Sequence, residues 1–129
     1  MDFRNFIGDF HPDYTKAPVS MKKKLNLSIL GGGESGVSAA LLGKEKNMNV
    51  FLSDNGYLKK SNQIELLEAN IPFEEGEHSL NKLLKSDIII KSPGIKSDIP
   101  LFQQIKERCI PVWSDIEGFK EMYQYTPKL

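Results

Sequence analysis

From residue 25 onward, short apolar runs alternate with segments whose apolar residues repeat at helical spacing. Runs that are apolar throughout are typical of strands covered by helices on both faces, and Ile88-Ile89-Ile90 is the clearest of them. Ser61 is predicted to cap the second helix, whose apolar residues are Ile64, Leu66 and Leu67. In all, the pattern predicts strands at 25–30, 50–52, 71–73, 88–90 and 110–113, and helices at 35–46, 61–70, 80–84, 98–105 and 116–123.

The regular alternation of strands and helices indicates the fold class. Consecutive strands joined by helices lie parallel, and right-handed connections place the helices on both faces of the sheet. We therefore predict an α/β fold, a Rossmann-like five-stranded parallel sheet in a single domain at 25–125. Residues 1–24 mix aromatic, charged and turn-forming residues without a clean period, so they are predicted to form an irregular N-terminal extension.

Composition excludes several classes of function. The 129 residues include 17 basic and 17 acidic side chains, so the formal net charge is zero. This balance argues against nucleic-acid binding through a basic surface. No apolar stretch approaches the roughly 20 residues that span a bilayer, and charged residues interrupt the N-terminal apolar patch, unlike in a secretory signal. The single cysteine, Cys109, excludes an internal disulfide and a multi-cysteine metal site, which suits the reducing cytoplasm.

A glycine-rich segment, Gly31-Gly32-Gly33-Glu34-Ser35-Gly36, follows the first predicted strand and leads into the first helix. It fits the G-x-G-x-x-G pattern, in which glycine lets the backbone turn sharply and approach a phosphate. Free N–H groups and the positive end of the helix dipole then favour an anion. Val37 stands where a Walker A loop has lysine. We predict a phosphate-binding loop; the alternative is a turn that needs glycine for packing alone.

Ligands of open parallel sheets bind beyond the carboxyl ends of the strands. Asp54 lies at such an end, 18 residues after Gly36. A carboxylate there accepts hydrogen bonds from the ribose of NAD, but it can also accept an N–H from a nucleobase edge or simply form a turn. Ser92-Pro93-Gly94 follows the triple-isoleucine strand and is predicted to form a second wall of the anion site. The segments 75–76 and 114–115 should reach the same edge.

Other polar and aromatic residues are predicted to have no chemical role. The segment 74–78, Glu-Glu-Gly-Glu-His, has the residue types of metal ligands but no second histidine or cysteine nearby, so it is interpreted as a solvated turn. Cys109 is predicted to be a small core residue, and Trp113 to lie in the core or at an interdomain face. We predict no metal site and no catalytic residue in this chain.

Taken together, four of these segments resemble the N-terminal domain of the Mur ligases. They are the glycine loop after the first strand, L-S-D at the end of the second, I-I-I-K-S-P-G-I at 88–95, and S-D-I-E-G-F at 114–119. The resemblance covers roughly residues 24–123, and Gly118 departs from it, because relatives usually carry a larger apolar residue there. Within the family, the segments are most similar to those of the ligases that add D-glutamate to UDP-N-acetylmuramoyl-L-alanine.

The resemblance implies that the glycine loop holds the UDP part of that substrate and not NAD. The backbone N–H groups of 33–36, with the Ser35 hydroxyl, would bind the diphosphate. Asp54 would accept a hydrogen bond from the uracil edge, Asn55 would supply a backbone contact, and the turn at 92–94 would close over the ribose-diphosphate. The implied UDP-binding residues are Gly33, Glu34, Ser35, Gly36, Asp54, Asn55, Ser92, Pro93 and Gly94.

The resemblance also implies an ATP-dependent amide ligation in peptidoglycan synthesis, in which an acyl phosphate is attacked by the amine of D-glutamate. ATP and Mg²⁺ are then expected for the full-length enzyme, but the chain has no G-x-x-x-x-G-K-[ST] sequence. We expect the substrate-anchoring domain of a larger ligase, inactive alone, with 126–129 as the start of a linker to an ATP-binding domain. Its expected partners are the central and C-terminal domains of the same enzyme.

Two other functions fit part of the pattern. A stand-alone NAD-binding regulatory module would use the glycine loop and Asp54, but it leaves 92–94 and 114–119 unexplained. A truncated dehydrogenase is the weaker of the two, because no catalytic base and no substrate domain can be found in the sequence.

Overall fold

The computed structural model describes residues 24–124. Within them, five strands and five helices alternate. The strands are β1 (Asn26–Leu30), β2 (Asn49–Asp54), β3 (Phe73–Glu75), β4 (Ile88–Lys91) and β5 (Val112–Trp113). The helices are α1 (Glu34–Glu45), α2 (Lys60–Glu68), α3 (Leu80–Leu83), α4 (Pro100–Glu107) and α5 (Ile116–Gln124). The predicted extension (1–24, apart from Lys24) and the predicted linker (126–129) lie outside the described residues.

All five strands are parallel, in the order β3-β2-β1-β4-β5. β1 lies in the centre, where Ile29 pairs with Leu52 of β2 and Ile90 of β4. The predicted Rossmann-like α/β sheet is therefore confirmed. The chain runs outward on one side from β1 to β3 and then crosses back to β4, so the direction of the strand order reverses between β1 and β4. Ligands of such sheets bind at this reversal point.

Helices cover both faces of the sheet, and each face has its own apolar cluster. Ile29 and Ile90 belong to the cluster beneath α1, α2 and α5. Leu30 and Ile89, their neighbours along the strands, belong to the cluster beneath α3 and α4. All four side chains are fully buried, which explains why β1 and β4 are apolar at successive positions. None of the helices in residues 24–124 is long and apolar enough to cross a membrane.

The start of α2 differs from the prediction. The helix begins at Lys60 with Lys59 as its N-cap, and no side chain makes a capping hydrogen bond, so the prediction that Ser61 caps it is wrong. Of its predicted apolar residues, only Leu66 is fully buried, while Ile64 and Leu67 are 44% and 63% exposed. The buried face of α2 carries Leu66 and Asn62, which are four residues apart. Ile64 and Leu67 lie on other faces of the helix.

Two strands are displaced from their predicted positions. β3 lies at 73–75 and not 71–73, because Ile71 is buried in the preceding turn and only the carbonyl of Pro72 bonds to β2, accepting from the Leu52 amide at 3.1 Å. β5 is shortened to Val112–Trp113. Cys109, predicted to be a core residue, is exposed. It lies just beyond α4 with φ of 59°, and this left-handed turn directs the chain to β5.

Candidate functional site

The carboxyl ends of β1, β4 and β5 enclose a cleft of about 370 Å³. It lies at the reversal point of the strand order, where the glycine loop after β1 faces the Ser-Pro-Gly turn after β4. Its lining comes from three predicted strand-end segments and the first turn of α5: Gly31, Gly33, Glu34, Ser35, Gly36, Ser92, Pro93, Ser114, Asp115, Ile116 and Glu117. A larger groove of about 850 Å³ follows α1, α2 and α5, but it lies away from the strand ends.

The glycine loop is shaped by close backbone contacts. Gly31 has φ of +118°, and a Cβ there would lie 2.9 Å from the Cβ of Ser92. A Cβ on Gly36 would overlap the carbonyl oxygen of Gly31. Gly33 differs from both, because a Cβ added to it would meet nothing within 4 Å. The outer glycines are therefore required by packing, whereas Gly33 borders the open cleft.

The N-terminus of α1 opens at this loop. Gly33 is the N-cap, and no side chain makes a capping hydrogen bond. The first amide bonded within the helix is that of Val37, which donates to the Gly33 carbonyl at 2.9 Å. The amides of residues 34–36 make no hydrogen bond to any other described residue. These free N–H groups and the helix dipole together form an anion-binding end.

The turn 92–94 forms the opposite wall of the cleft. The Ser92 amide donates to the Leu30 carbonyl at 2.8 Å, which attaches the turn to the last residue of β1. The Ile95 amide donates back to the Ser92 carbonyl at 3.0 Å. Pro93 and Gly94 are exposed between these two bonds. The structure thus brings the predicted second wall into contact with the glycine loop.

Asp54 is bonded to two backbone amides. Its Oδ2 accepts from the Gly32 amide at 2.6 Å, and its Oδ1 accepts from the Gly56 amide at 2.8 Å. The carboxylate therefore connects the glycine loop to the turn after β2. Asn55 is exposed at the tip of that turn. The three alternatives for Asp54 are thus not exclusive, since a turn-forming carboxylate with a second lone pair on each oxygen can still accept from a ligand.

A network of polar side chains lies behind Asp54, where the sequence indicated only a solvated turn. Glu74 accepts hydrogen bonds from the Ser79 amide (2.7 Å), the Ser79 hydroxyl (2.6 Å) and the Ser53 hydroxyl (2.7 Å). Nδ1 of His78 lies 2.7 Å from the Ser53 oxygen. Ser53 is fully buried and the side chain of Glu74 is 9% exposed. The solvated-turn prediction is wrong for Glu74 and His78, because Ser53 on the neighbouring strand supplies a buried partner that sequence spacing does not reveal. Gly76 and Glu77, in the same segment, are exposed.

The environment of the network lowers the pKa values of its two titratable groups, Glu74 and His78. Burial raises the pKa of Glu74, but the hydrogen bonds from Ser79 and Ser53 and the charge of Lys82 outweigh it and leave that pKa below 4.5. Burial lowers the pKa of His78 below 6.5, although the charges of Asp54 and Glu74 act in the opposite direction. Since the Ser53 hydroxyl has one proton and the Glu74 carboxylate can only accept, neutral His78 donates from Nδ1.

Three acidic residues line the cleft, Glu34, Asp115 and Glu117, and Glu117 is bonded to the first turn of α1. The Ser35 hydroxyl donates to Oε2 of Glu117 at 3.0 Å, across the gap between α1 and α5. Asp115 caps α5, accepting from the Gly118 amide at 2.8 Å, and a Cβ on Gly118 would overlap the Asp115 carboxylate. Gly118, the departure noted above, leaves room for the Asp115 carboxylate in this orientation. Glu117 has no role in the sequence prediction, although it lies in the S-D-I-E-G-F segment.

Comparison with known proteins decides the family. A model described as the MurD N-terminal domain matches residues 26–100, more than half of the chain. The chain belongs to the MurD N-terminal domain family. The matched residues include β1 to β4, the glycine loop, Asp54 and the turn at 92–94, so the resemblance stated from the sequence is confirmed.

Two curated relatives with the same name illustrate the similarity. The UDP-N-acetylmuramoylalanine–D-glutamate ligase of Cytophaga hutchinsonii is 46% identical over 89 residues, which is 69% of this chain and 20% of that protein. The ligase of the same name from Christiangramia forsetii is 42% identical over 99 residues, 77% of this chain and 22% of that protein. The MurD-like chain therefore spans about a fifth of the length of these relatives.

Solved structures show the same fold at lower identity. A murein peptide ligase from Psychrobacter arcticus aligns with a TM-score of 0.68 at 20% identity, over 76% of this chain and 20% of that one. The UDP-N-acetylmuramate-alanine ligase from Thermotoga maritima aligns with a TM-score of 0.64 at 20% identity, over 78% and 23%. These alignments show that this chain has the same α/β fold as the aligned parts of the two ligases.

Proposed function

We propose that this chain binds the UDP part of UDP-N-acetylmuramoyl-L-alanine, as the N-terminal domain of the ligase that adds D-glutamate to it in peptidoglycan synthesis. The observation that carries the proposal is the set of free amides at 34–36, which open onto the cleft at the reversal point of the strand order. The names of the relatives at 42–46% identity support the choice of substrate.

The diphosphate would lie at the N-terminus of α1. Gly33, Glu34, Ser35 and Gly36 would donate backbone N–H groups to it, and the Ser35 hydroxyl could turn from Glu117 toward the ligand. The turn of Ser92, Pro93 and Gly94 would cover the ribose-diphosphate from the β4 side. A local set of amides suffices for one diphosphate, which is consistent with a chain of zero net charge.

The uracil base would be read at the end of β2. Asp54 holds two backbone amides and has further lone pairs with which to accept the N–H of the uracil edge. Asn55, exposed at the tip of the same turn, would supply a backbone contact. In this proposal one carboxylate both shapes the glycine loop and selects the base.

The chemistry of amide ligation would reside elsewhere in the enzyme. ATP and Mg²⁺ are expected for the full-length ligase, but residues 24–124 contain no cluster of three potential metal-ligating side chains. The partners would be the substrate and the central and C-terminal domains of the same enzyme, in the cytoplasm. None of the relatives reported above is an NAD-binding regulatory protein.

Titration with UDP and with NAD, followed by nuclear magnetic resonance, tests the proposal. UDP should shift the amide signals of 33–36 and 54–56 and bind more tightly than NAD, even if its Kd is near millimolar. Tighter binding of NAD, or no binding of UDP, would overturn it.

Asp54→Asn tests base selection. Asparagine keeps the size of the side chain but has one acceptor oxygen, so it loses one of the two bonds to the Gly32 and Gly56 amides. A disturbed loop affects UDP and ADP alike, whereas the preference for UDP over ADP should fall about tenfold because a hydrogen bond to a charged group is lost. Asp98→Asn, at an exposed acid outside the cleft, is the matched control. Equal loss of UDP and ADP would mean that Asp54 does not read the base.

A further inference from the structure

Lys91, the last residue of β4, is buried, with 5% of its surface exposed. Its ammonium group donates to the Ile95 carbonyl at 2.6 Å and lies 6.0 Å from the centre of the Phe102 ring. Among residues 24–124 it forms no ion pair with a carboxylate. Lysine is almost never buried without a partner, because removing its charge from water is unfavourable. We therefore expect the contact of its ammonium group with Ile95 to contribute to the structure or function of this region.

The bond from Lys91 to Ile95 closes a loop around the turn 92–94. Ile95 is held on both sides, since its carbonyl accepts from Lys91 and its amide donates to the Ser92 carbonyl at 3.0 Å. The turn between these bonds has few other restraints: the Gly94 amide is 3.4 Å from the Ser92 hydroxyl, and Pro93 has no N–H to donate. Lys91 thus fixes the far end of the turn, as the bond from Ser92 to Leu30 fixes the near end.

The shape of this turn bears directly on the cleft. The Cβ of Ser92 lies where a side chain on Gly31 would be, so the turn and the glycine loop are packed against each other. Displacement of the turn would change the width of the cleft over the free amides of 34–36. If the turn is loose before binding, it loses conformational entropy when the ligand orders it, and this loss weakens binding. If the turn is already held in place, binding does not carry this loss.

We propose that Lys91 is a positioning residue for nucleotide binding, which holds the turn 92–94 in the form that closes over a nucleoside diphosphate. This inference rests on the proposed function, since it concerns the same cleft. Lys91 acts through the Ile95 carbonyl and does not touch the ligand. The charge of the buried ammonium strengthens this one hydrogen bond.

The test compares UDP binding by the wild-type chain, Lys91→Met and Lys91→Arg. Methionine keeps the apolar stem of the side chain near Phe102 but removes the donor. UDP must then order the turn when it binds, so its affinity should fall about tenfold, roughly the cost of fixing the backbone of one residue. Arginine keeps a charged donor and should restore most of the affinity. Lys96→Met, at an exposed lysine five residues further on, is the matched control and should bind UDP like the wild type.

A second measurement reports on the turn without ligand. Hydrogen exchange of the Ile95 amide should become faster in Lys91→Met and stay slow in Lys96→Met, because the first variant loosens the turn that protects it. A purely structural role in stability would instead accelerate exchange throughout the sheet. If Lys91→Met does not fold, Lys91→Leu, which likewise has no donor, is measured in its place with the same expected results.

The outcomes separate this inference from the proposed function. If wild-type chain binds UDP and Lys91→Met binds it equally well, or if arginine does not restore binding, the positioning role is wrong while the proposed function stands. If wild-type chain does not bind UDP, the proposed function fails and the role of Lys91 in nucleotide binding fails with it. Weaker UDP binding in Lys91→Met, with faster exchange confined to the turn, supports both.

Discussion

The two sides of the strand-end region are built from different groups. On the side of β1 and β4, which we call the backbone side, the glycine loop 31–36 and the turn 92–94 present main-chain N–H groups with few partners. On the side of β2 and β3, the side-chain side, Ser53, Asp54 and Glu74 are held by several short hydrogen bonds. The first is suited to receive an anion, and the second to hold a fixed carboxylate beside it.

This difference predicts how each side responds to mutation. The backbone side depends on the absence of side-chain volume, because a Cβ on Gly36 would overlap the Gly31 carbonyl oxygen and a Cβ on Gly31 would lie too close to the Cβ of Ser92. The side-chain side depends on charge and hydrogen-bond capacity, because buried donors would lose their acceptors. Four predictions, from the largest effect to the smallest, test this contrast.

Gly36→Ala should cause the largest loss of stability. Its Cβ would overlap the Gly31 carbonyl oxygen, and this overpacking should lower the free energy of unfolding by about 3 kcal/mol even after the better helix propensity of alanine is counted. Gly33→Ala is the control, since its Cβ meets nothing within 4 Å, and it should change stability by less than about 0.5 kcal/mol. Urea unfolding measures both; equal effects would contradict the steric account of the backbone side.

Glu74→Ala should have the next largest effect. The substitution removes the acceptor of three hydrogen bonds and leaves the buried Ser53 hydroxyl without its carboxylate partner, so the free energy of unfolding should fall by about 2 kcal/mol. Glu77→Ala, at an exposed glutamate of the same segment, should change it by less than about 0.5 kcal/mol. If both variants unfold at the same urea concentration as the wild type, the network does not stabilise the side-chain side.

Stability should depend on pH through His78. Its pKa in the folded chain lies below 6.5, so the unfolded chain binds more protons between the folded pKa and 6.5. The contribution of His78 is therefore complete above pH 6.5 and is lost as pH falls through the folded pKa. The free energy of unfolding, measured with urea, should be lower at pH 5.5 than at pH 7.5. In His78→Gln this decrease should be smaller than in the wild type, by up to about 1 kcal/mol. His11→Gln controls for the second histidine of the chain; an identical decrease in the wild type and in His78→Gln would refute the prediction.

Glu117→Gln should produce the smallest change, and in the opposite direction. The carboxylate that accepts from Ser35 puts a negative charge at the anion-binding end, so its neutralisation should tighten UDP binding about twofold at low salt. The effect should diminish as salt is added. Glu121→Gln, at an exposed glutamate further along α5, should leave binding unchanged. Weaker binding by Glu117→Gln would show that Glu117 assists the ligand and does not oppose it.

The sequence predicted the backbone side better than the side-chain side, for a physical reason. A phosphate-binding loop is a local feature, since glycine spacing, the preceding strand and the following helix are all contiguous. Likewise, the run Ile88-Ile89-Ile90 identified a central strand because burial on both faces requires apolar residues at successive positions. The fold and the position of the cleft follow from such patterns and from the topology rules of parallel sheets.

The side-chain side depends on contacts between distant positions. Ser53 meets Glu74 and His78 across 21 and 25 residues of sequence. The one such contact on the backbone side that we describe, between Ser35 and Glu117, spans 82 residues. No spacing rule joins such pairs, so Glu74 and His78 were interpreted as a solvated turn and Glu117 received no role. The bonds from Asp54 to the Gly32 and Gly56 amides were hidden in the same way, although its position at the strand end was predicted. The nine predicted UDP-binding residues stay a prediction.

The open position at Gly33 offers a way to make binding visible. Because nothing occupies the space around its missing Cβ, Gly33→Cys could carry an environment-sensitive fluorophore at the mouth of the cleft. The exposed Cys109 would be replaced first, by asparagine, which tolerates its left-handed backbone conformation. A chain labelled in this way would turn occupancy of the cleft into an optical signal, suited to screening nucleotides and inhibitors in small volumes.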